Sequence, residues 1–168
     1  MKAFFTGHRD ISNLNNSNVI ALLNQAIDMA INQGVDRFGN GMALGGDQAA
    51  AEILNQRGLI WTGIIPYAGQ GNYAKWSPEQ RLKYRGILKG ASGKIILSPE
   101  YYAGCMQVRN KYMVQHSDIC IAVYDGRLTG GTAGTVRMAR DRNLSIIQVN
   151  PKTLKISIFE PSKQLSLL

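Results

Sequence analysis

Apolar residues along the chain fall into short runs that alternate with helix-spaced patterns. Short runs such as Asp118–Tyr124 are typical of buried strands, and apolar residues at helical spacing, as in Asn15–Gln33, are typical of amphipathic helices. The predicted strands are Lys2–Thr6, Phe38–Leu44, Leu59–Pro66, Lys94–Ser98, Asp118–Tyr124, Ser145–Val149 and Leu154–Phe159. The predicted helices are Asn15–Gln33, Gln48–Arg57, Pro78 to about Lys89 with Ser77 as N-cap, Cys105–His116, and Gly130 to about Arg142.

Strands that alternate with helices indicate an α/β fold, with a mostly parallel sheet and helices on both faces. The length of 168 residues suits a single domain. In such sheets ligands bind beyond the carboxyl ends of the strands, where the strand order reverses. We therefore expect the functional residues in the loops that follow strands.

Composition narrows the class of protein. An apolar fraction of 45% with 18% charged residues excludes a disordered chain. No apolar run approaches the ~20 residues of a membrane span, and the apolar start is too short for a secretory signal. Cys105 and Cys120 lie in apolar segments, which predicts reduced core thiols. We expect a cytoplasmic protein with no membrane partner.

The net charge of +8 is unevenly distributed. Residues 1–75 carry five Lys and Arg against five Asp and Glu, whereas residues 76–168 carry fourteen against six. A basic half favours an anionic partner such as a nucleotide, a nucleic acid or a phosphorylated protein. A solvated basic surface is the alternative.

Three glycine-bearing loops follow predicted strands and precede helices: Thr6-Gly7-His8-Arg9, Gly45-Gly46-Asp47 and Thr129-Gly130-Gly131-Thr132. Glycine lets the backbone approach a ligand, and the free N–H groups at a helix start favour phosphate. Thr132 adds a hydroxyl donor, and Arg9 adds a charged one. The pattern predicts an anion-binding site if the three loops meet.

Neither the dinucleotide fingerprint GxGxxG nor the phosphate loop GxxxxGK[ST] is present. Each glycine pair is therefore also compatible with a tight connection between elements. A metal site is not expected, because His8 and His116 have no third ligand close in sequence.

Four segments in order resemble the YpsA-like branch of the SLOG superfamily. They are TGHR at 6–9, GMALGGDQAAAE at 41–52, IPYAGQ at 65–70 and RNKYMVQHSDICIAVYDGRLTGGTAGTVRMA at 109–139. The resemblance covers about residues 2–150. It implies a Rossmann-like fold, related to LOG phosphoribohydrolases and to the DNA-processing protein DprA, and a nucleotide-derived ligand such as NAD or ADP-ribose.

The resemblance also bears on catalysis. LOG enzymes carry PGGxGTxxE, in which the Glu acts at the ribosyl bond. Here Thr129 stands in place of the Pro, and either Arg137 or Met138 occupies the Glu position, depending on the alignment. Glycosidic cleavage needs a carboxylate near the developing positive charge. We therefore expect binding without catalysis, unless Asp47 or Glu52 supplies that group.

Further candidates surround these loops. Asp47 suits a ribose hydroxyl, although an N-cap role is equally compatible. Tyr67, Gln70 and Trp76 suit a base, or form a plug over the sheet. The polar residues Arg109 and Asn110 in an apolar helix suggest a ligand contact, drawn mostly from the resemblance. Asp125 either joins the site or forms an Asp-Gly turn.

The function expected from the sequence is binding of a nucleotide-derived small molecule, either NAD- or ADP-ribose-like or a cyclic nucleotide, by a sensor or sequestering protein. The site would comprise Thr6, Gly7, His8, Arg9, Gly45, Gly46, Asp47, Tyr67, Gln70, Trp76, Arg109, Asn110, Asp125, Gly130, Gly131 and Thr132. The alternatives are a nucleotide N-glycosidase or phosphohydrolase and a DprA-like nucleic-acid binder. A homo-oligomer and a protein partner are further expectations.

Overall fold

The computed structural model describes residues 1–10 and 17–161, in which strands and helices alternate. The strands are β1 (Lys2–Gly7), β2 (Arg37–Asn40), β3 (Trp61–Ile65), β4 (Gly93–Ile96), β5 (Ile119–Val123), β6 (Ser145–Asn150) and β7 (Lys155–Phe159). The helices are α1 (Ser17–Asn32), α2 (Gly46–Gln56), α3 (Pro78–Leu88), α4 (Cys105–Gln115) and α5 (Gly131–Asp141). A short 3-10 turn covers Gln70–Asn72.

The seven strands form one sheet in the order β4-β3-β2-β1-β5-β6-β7. Every pair is parallel except β6 with β7, which is antiparallel. The chain winds outward from β1 to β4 on one side and from β5 to β7 on the other, so the order reverses between β1 and β5. This is the Rossmann-like α/β fold predicted from the sequence, and its ligand crevice is expected at that reversal.

Both faces of the sheet are covered, which explains the continuous apolar strands. Phe5 lies in the core on the side of α1, α2 and α3. Its neighbour Phe4 lies in a second core with residues of α4 and α5. Cys105 and Cys120 are buried and unpaired, as predicted. In the described part of the chain, no helix has the length and apolar character needed to cross a bilayer.

The predicted start of α3 is confirmed by its hydrogen bonds. The Ser77 hydroxyl accepts from the backbone N–H of Gln80 at 3.1 Å, and the Gln80 side chain accepts from the Ser77 N–H at 2.9 Å. This reciprocal pair satisfies two donors that the helix itself leaves free.

Several predicted boundaries differ from the structure by two residues or more, and two of them lie around the loop between β2 and α2. The strand predicted over Phe38–Leu44 ends at Asn40. The Asn40 side chain accepts from the Met42 N–H and donates to the Asp47 carbonyl, and Met42 has a φ of 58°, so the chain turns away from the sheet. The helix predicted from Gln48 begins two residues earlier, at Gly46. Residues 15 and 16 of the predicted first helix lie outside the described residues.

The end of β1 and the start of α2 are in direct backbone contact. A Cβ atom placed on Gly7 would lie 2.8 Å from the Cα of Gly46, and one placed on Gly46 would lie 2.9 Å from the Cα of Gly7. Neither position has room for a side chain.

We expect Gly7→Ala to destabilise the fold by about 1–3 kcal/mol, because the clash is with backbone that cannot rotate away. Gly86→Ala is the matched control, since this glycine lies in α3 with open space around it. The control should raise stability by about 0.5–1 kcal/mol. Urea unfolding measures both changes, and equal stability of Gly7→Ala and the wild type would contradict the packing described here.

Candidate functional site

A cavity of about 560 Å³ opens at the carboxyl ends of the strands, at the reversal between β1 and β5. Its walls come from the loop after β1, the Ala43 and Asp47 region, the start of α4, and the loop and helix start after β5. The predicted site residues that line it are Thr6, Gly7, His8, Arg9, Asp47, Arg109, Asn110, Gly130, Gly131 and Thr132. Parts of all three predicted loops therefore meet in one place.

The start of α5 forms an open wall of the cavity. Gly130 caps the helix with a φ of 100°, which favours glycine. A Cβ atom on Gly130 would meet no atom within 4 Å, and one on Gly131 would meet only the Asn110 amide nitrogen, at 4.0 Å. The first backbone N–H groups of a helix have no partner within it, so those of α5 are available to a ligand in the cavity.

The start of α2 is more enclosed. Gly45 has a φ of 85°, and a Cβ atom there would lie 2.4 Å from the carbonyl oxygen of His8. That oxygen also accepts the Gly46 N–H at 3.2 Å. Gly45 and Gly46 do not line the main cavity. In the structure they form a tight connection into α2, which is the alternative to ligand binding that the sequence left open for each glycine pair.

The start of α4 lines the same cavity, and sequence reasoning missed it. Gly104 precedes the helix with a φ of 93°, and Cys105, Met106 and Gln107 contribute to the wall. Its signal was a single glycine between a predicted strand and a predicted helix. None of the three predicted loops includes this glycine.

Asp47 brings a buried carboxyl group to the cavity. The residue is 3% exposed, and one oxygen accepts a long hydrogen bond of 3.4 Å from the Ala43 N–H. No described residue donates to its other oxygen. Burial raises the pKa of Asp47 to about 6, although the charges of Arg109 and Arg9 and the Ala43 N–H oppose the shift.

Arg109 brings a buried positive charge to the same cavity, and Asp47 and Arg109 together form its floor. The residue is 3% exposed, and its guanidinium donates to the Gly41 carbonyl and, at 2.7 Å, to the side-chain oxygen of Asn110. Among the described residues, no ion pair joins it to a carboxylate. Burial lowers its pKa, while the charge of Asp47 opposes that shift. Its hydrogen-bond partners are neutral, so no anion bonds to it directly, although the Asp47 charge acts on it.

Arg9 lies at the mouth of the cavity and is exposed. Within residues 1–10 and 17–161 it has no ion pair. Arg9 also lines two other cavities. One is a neighbouring cleft lined by residues of α2 and α3, and the other is an aromatic compartment lined by Tyr73, Trp76 and Tyr101. Arg9 is therefore an exposed cation at an entrance that these cavities share.

Asp125 does not line the cavity; it holds two residues that do. Its carboxylate lies 3.0 Å from His8 Nε2 and 2.8 Å from an Arg127 nitrogen, and Lys152 approaches at 3.0 Å. These hydrogen bonds, chiefly those from Arg127, hold the pKa of Asp125 far below its usual range. Burial, reinforced by the Arg127 charge, lowers the pKa of His8. Arg127, which also pairs with Asp10 at 3.0 Å, was missed by sequence reasoning.

The predicted base contacts are divided. Tyr67 is buried beside Tyr101, and neither cavity includes it. The Gln70 amide donates to the Gly41 carbonyl at 3.1 Å and accepts from the Tyr84 hydroxyl at 3.0 Å, so both its ends are engaged. Gln70 and Trp76 line an aromatic compartment of about 90 Å³, which shares Arg9, Ala43, Tyr101 and Met106 with the main cavity.

Of the positions considered for catalysis, Asp47 lines the cavity and the others lie elsewhere. Glu52 lines the neighbouring cleft and pairs with Lys83 at 3.3 Å. Arg137 donates to the Leu128 carbonyl at 2.8 Å, and Met138 packs against the second core. In the described part of the chain, no group of three or more metal-ligating side chains comes together.

A Rossmann-like sheet with glycine-bearing loops at its reversal defines a class of nucleotide-binding folds. The family model YpsA, described as the YspA SLOG family, matches residues 6–154. The chain therefore belongs to this SLOG family, as its motifs indicated.

Individual relatives are more distant. An uncharacterized SPbeta prophage-derived protein of Bacillus subtilis (strain 168), YoqJ, is 33% identical over 109 residues, which cover 56% of this chain and 64% of YoqJ. DprA of Streptococcus pneumoniae matches with a TM-score of 0.64 and 16% identity, over 89% of this chain and 50% of DprA. DprA of Helicobacter pylori, whose structure concerns single-stranded DNA binding, matches with a TM-score of 0.63 and 18% identity, over 89% and 65%. The chain thus spans less than two thirds of each protein, and the structural matches establish the fold alone.

We expect Asp47→Asn to stabilise the protein near pH 7 by up to about 3 kcal/mol, the equivalent of a pKa raised from 3.8 to about 6. Because the folded state holds the proton more tightly, the contribution of this carboxyl group to stability falls as the pH rises from about 4 to about 6. The advantage of the variant should therefore vanish below about pH 4. Urea unfolding across this range tests it, and a difference independent of pH would contradict it.

Proposed function

We propose that this protein binds a nucleotide-derived small molecule, NAD- or ADP-ribose-like or a cyclic nucleotide, and acts as a sensor or sequestering protein. The observation that carries the proposal is the buried guanidinium of Arg109, which shares a cavity with the open start of α5 and has no ion-paired carboxylate in the described chain. A buried cation of this kind is stabilised by an anion that completes its shell.

The phosphate is assigned to the start of α5. Support comes from the unhindered space at Gly130 and Gly131 and from the dipole of an eleven-residue helix. Arg9 adds a cation at the mouth, and Asn110 offers its amide nitrogen close to Gly131. Thr6 and Gly7 form the facing wall.

A sugar hydroxyl is assigned to Asp47. Its carboxylate needs a donor, since one oxygen has only a long hydrogen bond and no described residue donates to the other. Above about pH 6 the group is ionised and accepts from a ribose hydroxyl beside the phosphate. A ligand with both groups matches the two opposite charges of the floor.

A DprA-like nucleic-acid binder is the second candidate, favoured by the fold match with DprA of Helicobacter pylori and by the net charge of +8. Fluorescence anisotropy with single-stranded DNA tests it. Tight binding that weakens steeply with salt would support this candidate, since phosphate contacts release counterions.

The primary experiment is calorimetry with NAD, ADP-ribose, AMP and cyclic nucleotides, followed by chromatography of the mixture. An intact bound nucleotide supports the proposal, and a released base or phosphate supports the hydrolase alternative. No heat with any of them, together with salt-sensitive DNA binding, would overturn the proposal. The homo-oligomer, the protein partner and the cytoplasmic location remain predictions.

We expect Gly131→Asp to weaken nucleotide binding by about 100-fold or more, because it brings a carboxylate to the proposed phosphate position. The fold should survive, since the position has room for a side chain. Gly86→Asp, on α3, makes the same charge change in open space away from the cavity and should bind normally. Calorimetry on both folded variants decides, and unchanged affinity of Gly131→Asp would remove α5 from the site.

We expect Arg9→Ala to weaken binding by about 10- to 150-fold, the range of one charge-assisted hydrogen bond. Arg37→Ala is its control, because Arg37 is an exposed arginine at the amino end of β2, opposite the cavity edge. Titration of both variants with the same nucleotide measures the effect. Equal losses in the two would indicate a general charge effect.

A further inference from the structure

An aromatic side chain stands exposed between the two cavities. Tyr101 is 57% exposed, although it lines both the main cavity and the aromatic compartment. The Tyr101 ring packs edge-on against the buried ring of Tyr67, with the ring centres 5.5 Å apart, and this contact holds the side chain in the loop. A large ring left open at a cavity entrance is typical of a ligand contact.

The rest of the compartment wall is also aromatic. Trp76 is 8% exposed and packs against Tyr84 at 5.4 Å and against Tyr73 at 6.3 Å. These contacts leave Trp76 little freedom to move. The compartment thus offers a rigid indole and the rings of Tyr73 and Tyr101 to a planar guest.

The one amide that could recognise a base by its edge is already used. Gln70 donates to Gly41 and accepts from Tyr84, and the residue is 1% exposed. Its bond to Gly41 also supports the carbonyl that receives Arg109. Gln70 therefore supports the Gly41 carbonyl and has no free group for the edge of a base. Arg9, the charged residue of the compartment wall, is assigned to the phosphate in the proposed function.

The compartment adjoins the main cavity. The residues that line both are Arg9, Ala43, Tyr101 and Met106. A base in the compartment therefore lies next to the space assigned to the phosphate.

Together these observations indicate recognition by stacking. We infer that the aromatic compartment binds the base of a nucleotide through its faces, with Tyr101 and Trp76 as the contacts, and accepts purines and pyrimidines alike. This inference rests on the proposed function, because a phosphate at α5 is what brings a base within reach.

The test compares AMP, CMP and ribose 5-phosphate by calorimetry with the whole protein. We expect AMP and CMP to bind within about threefold of each other and at least about tenfold more tightly than ribose 5-phosphate, as base stacking on aromatic rings provides. Tyr101→Ala should reduce AMP and CMP to the level of ribose 5-phosphate and leave ribose 5-phosphate unchanged. Tyr101→Phe, which keeps the ring, should bind all three like the wild type.

Tyr102→Ala controls for general effects on the loop, since Tyr102 is 43% exposed and lines neither cavity. Equal affinities for AMP and ribose 5-phosphate in the wild type would overturn the stacking site and leave the phosphate site standing. A preference above about tenfold between AMP and CMP would overturn recognition by faces alone. Absence of binding by all three, and by NAD and ADP-ribose, would overturn this inference and the proposed function together.

Discussion

The contact between Gly7 and Gly46 is the constraint on which the cavity depends. It joins the end of the central strand to the start of α2 with no side chain between them. The hydrogen bond from the Gly46 N–H to the His8 carbonyl repeats the contact one residue further along. Because β1 also pairs with β5, this junction sets the distance between the α2 wall and the α5 wall. Any side chain at either glycine would push the two walls apart.

Within those walls the protein keeps two opposite charges that act on each other at a distance. Asp47 and Arg109 are both 3% exposed, and neither takes part in an ion pair among the described residues. The contrast with Asp125 is informative, because that carboxylate gathers His8, Arg127 and Lys152. Charges that serve the architecture are paired here, whereas charges in the cavity floor are left open. Such an arrangement lowers stability, and under the proposed function a ligand supplies the missing partners.

The fold was predictable because strands such as β5, Ile119–Val123, are buried on both faces and appear in the sequence as continuous apolar runs. The end of β2 was not, since it depends on a local turn that the Asn40 side chain makes through its bonds to Met42 and Asp47, and the apolar pattern runs on past it to Leu44. The residues of the α5 loop were found from local glycine chemistry. Arg127 and the start of α4 were missed. A single glycine marks the start of α4, but whether these segments reach the cavity depends on the strand order.

The glycine loops also separate two physical uses of the same residue. At Gly7, Gly45 and Gly46 the missing Cβ lets backbone meet backbone, and a ligand cannot occupy the space that the protein fills itself. At Gly130 and Gly131 the same absence leaves open volume in front of unpaired N–H groups. From the sequence these loops look equivalent, since each is a glycine pair or glycine turn after a strand. The space around each glycine distinguishes them. Under the proposed function it favours α5 over α2 for an anion, because the N–H of Gly46 at the start of α2 is already bonded to the His8 carbonyl.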